Sequence, residues 1–243
     1  MYLVWFSAGA ASAVSAKYAV KEHGDDCRVI YCDTGSEHED NKRFLKDVEK
    51  WIDHPIEILK NEKYKDHWDV MEKTRYLIGP GGARCSVELK KKIRIDVSNI
   101  DDIHVLGYTI EETTRASDFD ERNEFTKTYY PLIKNNISKS DCLGIIWKAG
   151  IEIPAMYKMG YNHNNCIGCP RGKAGYWNKI RVDFPEAFDR MAKLERELGR
   201  SINRRPDGTK TFLDQLDPNA GNYKEEPPIS CGIGCQLAMS DLT

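Results

Sequence analysis

Residues 2–12 read YLVWFSAGAAS, and this stretch decides the fold. Its first five residues are continuously apolar, which predicts a strand buried on both faces of a parallel sheet. The small residues after them let backbone N–H groups approach an anion, and an alanine-rich helix predicted over residues 13–21 would add the positive end of its dipole. No Gly-Lys-Ser/Thr follows, so this is not a Walker loop. A tight turn into a helix is the alternative interpretation.

Further strands are predicted where short apolar runs recur, at residues 28–31, 56–59, 104–107 and 130–133. Strands that alternate with helices at this spacing predict an α/β fold with a Rossmann-like, doubly wound, mostly parallel sheet. Ligands of such sheets bind at the carboxyl ends of the strands. The Asp33-Thr34-Gly35 turn after the second strand should therefore converge with the loop at residues 7–12.

The second half is predicted to be helical and to carry cysteines. Ser138 can cap a helix that stops at Gly150, and Asp183 with Pro185 starts another that stops at Gly199. Beyond residue 200 the sequence becomes polar and rich in Pro and Gly, which predicts a tail lying over the surface. The expected organisation is a nucleotide-binding core at 1–135, a helical metal-binding part at 136–199 and a tail at 200–243 pinned by its cysteines.

The composition limits the classes of partner. The 243 residues include 36 basic and 38 acidic side chains, so no global field favours nucleic acid or a membrane as a partner. No apolar run is long enough to span a bilayer, and the opening run is too short for a signal-peptide core. We therefore expect a cytoplasmic protein without a membrane partner. In a reducing compartment its eight cysteines are expected to be metal ligands or catalytic thiols rather than a disulfide framework.

Five cysteines have the arrangement of a soft-metal site: Cys85 alone, then the pairs Cys166/Cys169 and Cys231/Cys235. Thiols separated by two or three residues in glycine-containing turns can aim at one point. The first pair alone would equally suit a redox dithiol or half of a zinc site. Residues 162–165, NHNN, precede it and either support that centre, read a substrate or form a polar turn. Cys142 lies on an apolar helical stretch, which predicts a core residue.

Five motifs occur in the order of a known family: Ser7-x-Gly9-x-x-Ser12, Asp33-Thr34-Gly35, residues 85–90 (CSVELK), residues 107–112 (GYTIEE) with Arg115, and Gly160 followed by Cys166-x-x-Cys169-Pro170. Together they resemble the phosphoadenosine-phosphosulfate (PAPS) reductase family of the PP-loop ATP pyrophosphatases. The resemblance spans residues 1–175. It is especially close to stand-alone members of phages and mobile elements, with the DNA-phosphorothioation ATPase as a relative, and it implies an adenine nucleotide alpha hydrolase-like fold.

The resemblance implies roles for the polar residues of these motifs. Ser7, Gly9 and Ser12 would hold phosphate. Asp33 would lie near the ribose or a metal such as Mg²⁺. Arg115 would face the anionic substrate, and Lys90 would meet a phosphate. Two residues depart from the family pattern: Ala8 replaces a second glycine and Ala11 replaces an aspartate, which bears on how pyrophosphate and its metal are handled.

The resemblance also divides the cysteines. Cys85, Cys166 and Cys169 would bind a [4Fe-4S] cluster, with zinc as the alternative metal. We assign Cys235 to the metal as well and Cys231 to catalysis, since residues 231–233 resemble the catalytic tail of the reductases. The tail lacks the glutamate and the histidine of that motif, where it has Ser230 and Gly234.

Three functions follow as expectations. The first is an adenine-nucleotide-dependent enzyme that activates an acceptor with ATP for sulfur transfer, with a nucleic acid or nucleotide as acceptor and a sulfur donor as partner. The second is an adenylyl sulfate reductase that forms sulfite through a catalytic thiol, with a thiol reductant protein as partner. The third is a non-catalytic nucleotide- or nucleic-acid-binding module in which zinc is structural.

Overall fold

The computed structural model describes residues 1–204, 207–227 and 229. These residues form two compact units that interleave along the chain. The first comprises Met1–Asp33, His38–Asn61 and Lys91–Asn164, and the second comprises Thr34–Glu37, Glu62–Lys90 and the described residues from Asn165 onward. The linear division at 135/136 and 199/200 stays a prediction.

The helices and strands follow one another along the chain. They are β1 (Tyr2–Phe6), α1 (Ala10–His23), β2 (Cys27–Asp33), α2 (Asn41–Ile52), β3 (Ile56–Lys60), α3 (His67–Thr74), α4 (Arg84–Ser86), a π-helical stretch (Val87–Lys91), α5 (Lys92–Val97), β4 (Ile103–Val105), α6 (Thr113–Arg122), β5 (Lys127–Tyr129), α7 (Pro131–Lys134), α8 (Lys139–Lys148), α9 (Ala155–Lys158), α10 (Ala174–Asp183), α11 (Pro185–Leu198), β6 (Asn203–Arg204) and β7 (Lys210–Thr211).

The first unit is built on a five-stranded parallel sheet with the strand order β3-β2-β1-β4-β5. β1 is the central strand, and Leu3 to Phe6 are all buried, which explains why the strand is apolar on both faces. Helices flank the sheet, and α1 buries its small residues Ala13, Ala16 and Ala19. The predicted α/β fold with a Rossmann-like parallel sheet is confirmed.

The predicted strand at 130–133 is wrong. The fifth strand is Lys127–Tyr129, and Pro131 instead starts the short helix α7. Proline lacks an N–H and has a fixed φ, which suits the first turn of a helix. The fourth strand ends at Val105, so Gly107 lies in the loop that follows.

The helix ends of the second half are mostly as predicted. Ser138 caps α8, its hydroxyl accepting the N–H of Asp141 at 3.0 Å. In the second unit α11 starts at Pro185 and ends at Gly199, whose φ of 61° is the left-handed conformation that suits glycine. Asp183 does not start this helix: it is the last residue of α10. No helix of the described residues is long and apolar enough to cross a membrane.

The predicted surface tail is only partly correct, because its first stretch is packed. Thr211 and Leu213 are buried, Leu213 with no exposed surface. The buried Glu195 of α11 anchors this stretch, since its carboxylate accepts the N–H groups of Ile202 and Leu213, both at 2.6 Å. Burial raises the pKa of Glu195 from 4.5 to about 7, although both hydrogen bonds favour the ionised form.

The raised pKa of Glu195 predicts a pH-dependent stability. The Glu195 carboxyl has a pKa of 4.5 in the unfolded chain and about 7 in the folded protein. Its contribution to the free energy of unfolding is therefore fully present below about pH 4.5 and is lost as the pH rises through 7. The free energy of unfolding should fall across this window by up to about 3 kcal/mol. Urea unfolding at a series of pH values measures it. Glu195→Gln should lack this pH-dependent fall in stability, whereas Glu197→Gln on the exposed side of α11 should keep it. Parallel profiles for wild type and Glu195→Gln would contradict the assignment.

Candidate functional site

The loop after β1 is organised around one hydroxyl. The Ser12 Oγ accepts hydrogen bonds from the Ser7 N–H at 3.1 Å, the Ser7 hydroxyl at 3.1 Å and the Gly9 N–H at 3.3 Å. It donates to the Gly9 carbonyl at 2.9 Å. Ser12 thus accepts hydrogen bonds from backbone amides that could also bind an anion. A phosphate bound here would replace the Ser12 hydroxyl as the acceptor of these hydrogen bonds.

Ala8 adopts a backbone conformation that suits glycine. Its φ is 55°, in the left-handed region, and it has no exposed surface. A non-glycine residue there costs about 1–2 kcal/mol. The side-chain amide of Asn164 donates to the Ala8 carbonyl at 2.7 Å and to the Asn41 Oδ1 at 2.6 Å, which holds this conformation. Glycine adopts this conformation without that cost.

Tyr157 is a second neighbour of this loop. Its hydroxyl would be 3.2 Å from a Cβ placed on Gly9, and it hydrogen-bonds the backbone of Ala10 at the N-terminus of α1. Burial raises the pKa of Tyr157 to about 12, so it remains a neutral phenol. Tyr157 and Asn41 have no signal in the sequence, whereas Asn164 belongs to the polar run at residues 162–165.

The loop after β4 closes against the loop after β1. A Cβ on Gly107 would be 2.9 Å from the Ser12 Cα and 3.1 Å from the Ser12 backbone nitrogen, so only glycine permits this approach. Since β1 lies between β2 and β4, the two loops meet where the strand order reverses. That switch point is where open α/β sheets bind ligands.

Three more residues were predicted to contact the nucleotide or the substrate: Asp33, Arg115 and Lys90. Asp33 ends β2, and its carboxylate lies 3.8 Å from the Lys60 ammonium. Arg115 pairs with Glu112 at 2.5 Å and stacks on the ring of Tyr108, 4.5 Å from its centroid. Lys90 belongs to the second unit, whereas the other residues predicted to bind the nucleotide belong to the first, namely Ser7, Gly9, Ser12 and Asp33. Its role, like theirs, stays a prediction.

The Cys166/Cys169 pair lies in a tight turn of the second unit. Gly168 has a φ of 77°, and a Cβ there would be 2.7 Å from the Trp68 ring. The Tyr176 hydroxyl accepts the N–H groups of Gly168 and Cys169 at 3.1 and 3.0 Å and bonds the Cys166 carbonyl. These hydrogen bonds fix the turn and place both thiols in a buried setting.

Two side chains border this turn. The Cys166 Sγ lies 3.2 Å from the hydroxyl of Thr34, and the Nε2 of His67 lies 3.2 Å from the Gly168 carbonyl. Burial lowers the pKa of His67 to about 4, so the imidazole is neutral and donates from Nε2. Neither contact was evident from the sequence.

The donor set suits a soft metal, but the described residues do not assemble a complete site. Cys85, Cys166 and Cys169 are all buried, belong to one unit and form no disulfide. Across residues 1–204, 207–227 and 229, no three side chains of His, Cys, Asp or Glu come together as metal ligands. Cys231 and Cys235 lie outside the described residues. By contrast, burial raises the pKa of Cys142 to about 12, and it packs in the core as predicted.

The described part of the tail leads towards this turn. The Glu226 carboxylate accepts the N–H groups of Gly175 and Tyr176 at 2.6 and 3.0 Å and so caps the N-terminus of α10. The side-chain amide of Asn165 donates to the Ile229 carbonyl at 3.1 Å. The tail is therefore held beside the residue that precedes Cys166.

Comparison with known proteins gives a family and two relatives. Residues 1–100 match the family model described as phosphoadenosine phosphosulfate reductase domain. Uncharacterized protein MJ0066 of Methanocaldococcus jannaschii is 25% identical over 212 residues, covering 83% of this chain and 42% of the relative. Uncharacterized protein MJ0973 of the same organism is 24% identical over 209 residues, covering 80% and 47%. The chain thus spans less than half the length of these curated relatives.

Proposed function

We propose, from the match of residues 1–100 to the family model described as phosphoadenosine phosphosulfate reductase domain, that the chain is an adenine-nucleotide-dependent enzyme of sulfur chemistry. The observation that carries the proposal is the loop at residues 7–12. It lies at the switch point of the parallel sheet, begins α1 and is approached by Gly107. Such a position suits the phosphates of a nucleotide, because amide donors and the helix dipole both favour an anion.

The reaction that we favour is sulfur transfer to an acceptor activated by ATP. An oxygen of the acceptor attacks the α-phosphorus of ATP, and pyrophosphate leaves with the electrons of the broken P–O bond. A sulfide-level sulfur donor then attacks the acceptor atom that bears this oxygen, and AMP departs with the electrons of that bond. No net oxidation or reduction is required. Ser7, Gly9 and Ser12 would stabilise the charge that develops on pyrophosphate.

The cysteines fit a soft-metal centre by donor type. Cys85, Cys166 and Cys169 would hold a [4Fe-4S] cluster or zinc, with Cys235 as a further ligand. A cluster bound there would supply a Lewis-acidic iron for a sulfur ligand. Glu226 and Asn165 would keep the tail close to this centre through the contacts described above.

Adenylyl sulfate reduction is the second candidate, favoured by the description of the matching family. The Cys231 thiolate would attack the sulfonate sulfur, and the S–O bond to the nucleotide phosphate would break. A second thiol would then attack the Cys231 sulfur, releasing sulfite and leaving a disulfide. The two electrons come from the pair of thiols, and a thiol reductant protein would restore them. Arg115 would face the anionic substrate in either reaction.

Product analysis separates these candidates. Protein purified without air is supplied either with ATP, sulfide and short oligonucleotides or with an adenylyl sulfate and dithiothreitol. Sulfur transfer predicts AMP and pyrophosphate in equal amounts, and reduction predicts sulfite. If the protein binds ATP but turns over neither substrate, a non-catalytic binding module with structural zinc replaces both proposals.

A further inference from the structure

Two cations, Lys139 and Arg115, belong to segments that border the NHNN run and its histidine in the first unit. Three segments meet there: residues 110–115, the start of α8 and residues 162–164. The Ile110 N–H donates to the Ile137 carbonyl at 3.0 Å, and the Lys139 N–H donates to the Glu111 carboxylate at 3.2 Å. These bonds join the first two segments.

Lys139 connects the third segment through its side chain. Its ammonium donates to the Asn162 carbonyl at 2.7 Å. The side chain is half-buried, and burial lowers its pKa, opposed by the nearby carboxylates of Glu112 and Glu111. No described carboxylate forms an ion pair with this ammonium. A half-buried cation without a paired anion is costly, which makes its ammonium a candidate for binding a ligand anion.

His163 follows Asn162, the residue whose carbonyl accepts the Lys139 ammonium. Its Nε2 is buried and has no hydrogen-bond partner among the described residues. The charged groups that act on the ring are Lys139 and Arg115, and together with burial they lower the pKa of His163 to about 4. A neutral imidazole with an unsatisfied nitrogen therefore comes directly after the residue whose carbonyl accepts the Lys139 ammonium, and the charge of Arg115 also acts on it.

This group adjoins the phosphate loop. Asn164, the residue after His163, bonds the Ala8 carbonyl at 2.7 Å. Arg115 engages Glu112 through one guanidinium nitrogen and keeps further donors on a planar fork that suits oxyanions. An oxyanion here would accept hydrogen bonds from the lysine, the arginine and the imidazole, and it would neutralise the two cations.

We propose that Lys139 and His163, together with Arg115, form a second oxyanion subsite that takes a phosphate or sulfate group of the substrate. It rests on the proposed function only in that the loop at residues 7–12 holds the nucleotide phosphates. The group that it takes is either a further phosphate or sulfate of a nucleotide or a phosphodiester of a nucleic acid. The substrate therefore carries two separate anionic groups.

The His163 ring supplies a local readout. In wild-type protein, NMR titration of the assigned His163 signal should show its pKa rising by about one unit or more when inorganic phosphate is added, since an anion stabilises the imidazolium. Lys139→Gln should abolish most of this rise and weaken phosphate binding about tenfold. Lys148→Gln, at the exposed end of α8, should behave as wild type. An unchanged His163 pKa in saturating phosphate, or an equal loss in both variants, overturns the proposal.

Two further arms complete the test. Lys139→Arg should retain phosphate binding, which separates lost charge from misfolding. A 3′-phosphorylated adenine nucleotide and a single-stranded oligonucleotide then compete with phosphate at His163, and the better competitor identifies the source of the anion. If ATP fails to bind while phosphate still shifts His163, the proposed function fails and the subsite stands. If ATP binds and phosphate leaves His163 unchanged, the subsite fails alone.

Discussion

Gly107→Ala is expected to destabilise the first unit and to impair nucleotide binding. The added Cβ would be 2.9 Å from the Ser12 Cα and 3.2 Å from the Ala11 carbonyl carbon, and backbone atoms cannot rotate away as a side chain would. Overpacking of this kind costs about 1–3 kcal/mol. The loop after β1 must shift, so ATP affinity should fall at least about tenfold, equivalent to 1.4 kcal/mol. Urea unfolding and calorimetric titration with ATP measure the two effects.

Gly144→Ala is the matched control. Gly144 lies inside α8, and a Cβ there meets nothing within 4 Å. Alanine should stabilise this helix by about 0.5–1 kcal/mol, because glycine loses more backbone entropy on folding. ATP binding should not change. If Gly107→Ala bound ATP as tightly as wild type, the meeting point of the two loops would not be the nucleotide site.

Cys169→Ser is expected to remove the metal and the activity together. Cys169 is 3% exposed and shares its turn with Cys166, so a hydroxyl would replace one of two neighbouring soft ligands. We expect metal content per chain to fall by more than about half and turnover by more than about a hundredfold, since losing a catalytic centre removes several kcal/mol of transition-state stabilisation. Elemental analysis of anaerobically purified protein measures iron and zinc directly and so separates the two metals.

Cys142→Ala provides the contrast. This cysteine has no exposed surface, lies in the core of the first unit, and burial holds its pKa at about 12, so it stays a thiol. Its loss should lower stability by about 1 kcal/mol, as for other small core truncations, and leave the metal content unchanged. Equal metal content in wild type and Cys169→Ser would refute ligation by this residue. Equal metal loss in Cys142→Ala would show that the assay reports folding instead.

Local patterns predicted local structure well. The apolar run of β1, the small loop after it and the Ser138 cap each depend on neighbours within a few residues, and each was placed correctly. The errors arose where local signals compete. Pro131 fits a helix start better than the strand interior that its apolar neighbours suggest, and Asp183 ends one helix with only Phe184 between it and the next.

The sequence alone determined the parallel α/β fold, the loop at residues 7–12 and the thiols that suit a soft metal, because hydrophobic period, small residues and cysteine spacing are properties of short segments. Only the tertiary structure decided what surrounds them. Asn164 supports the strained Ala8, Gly107 lies against Ser12, and the Lys139 ammonium bonds the Asn162 carbonyl beside His163, all between residues far apart in sequence. No local pattern encodes such pairings, since they arise when crossover connections bring the carboxyl ends of parallel strands to one edge of the sheet.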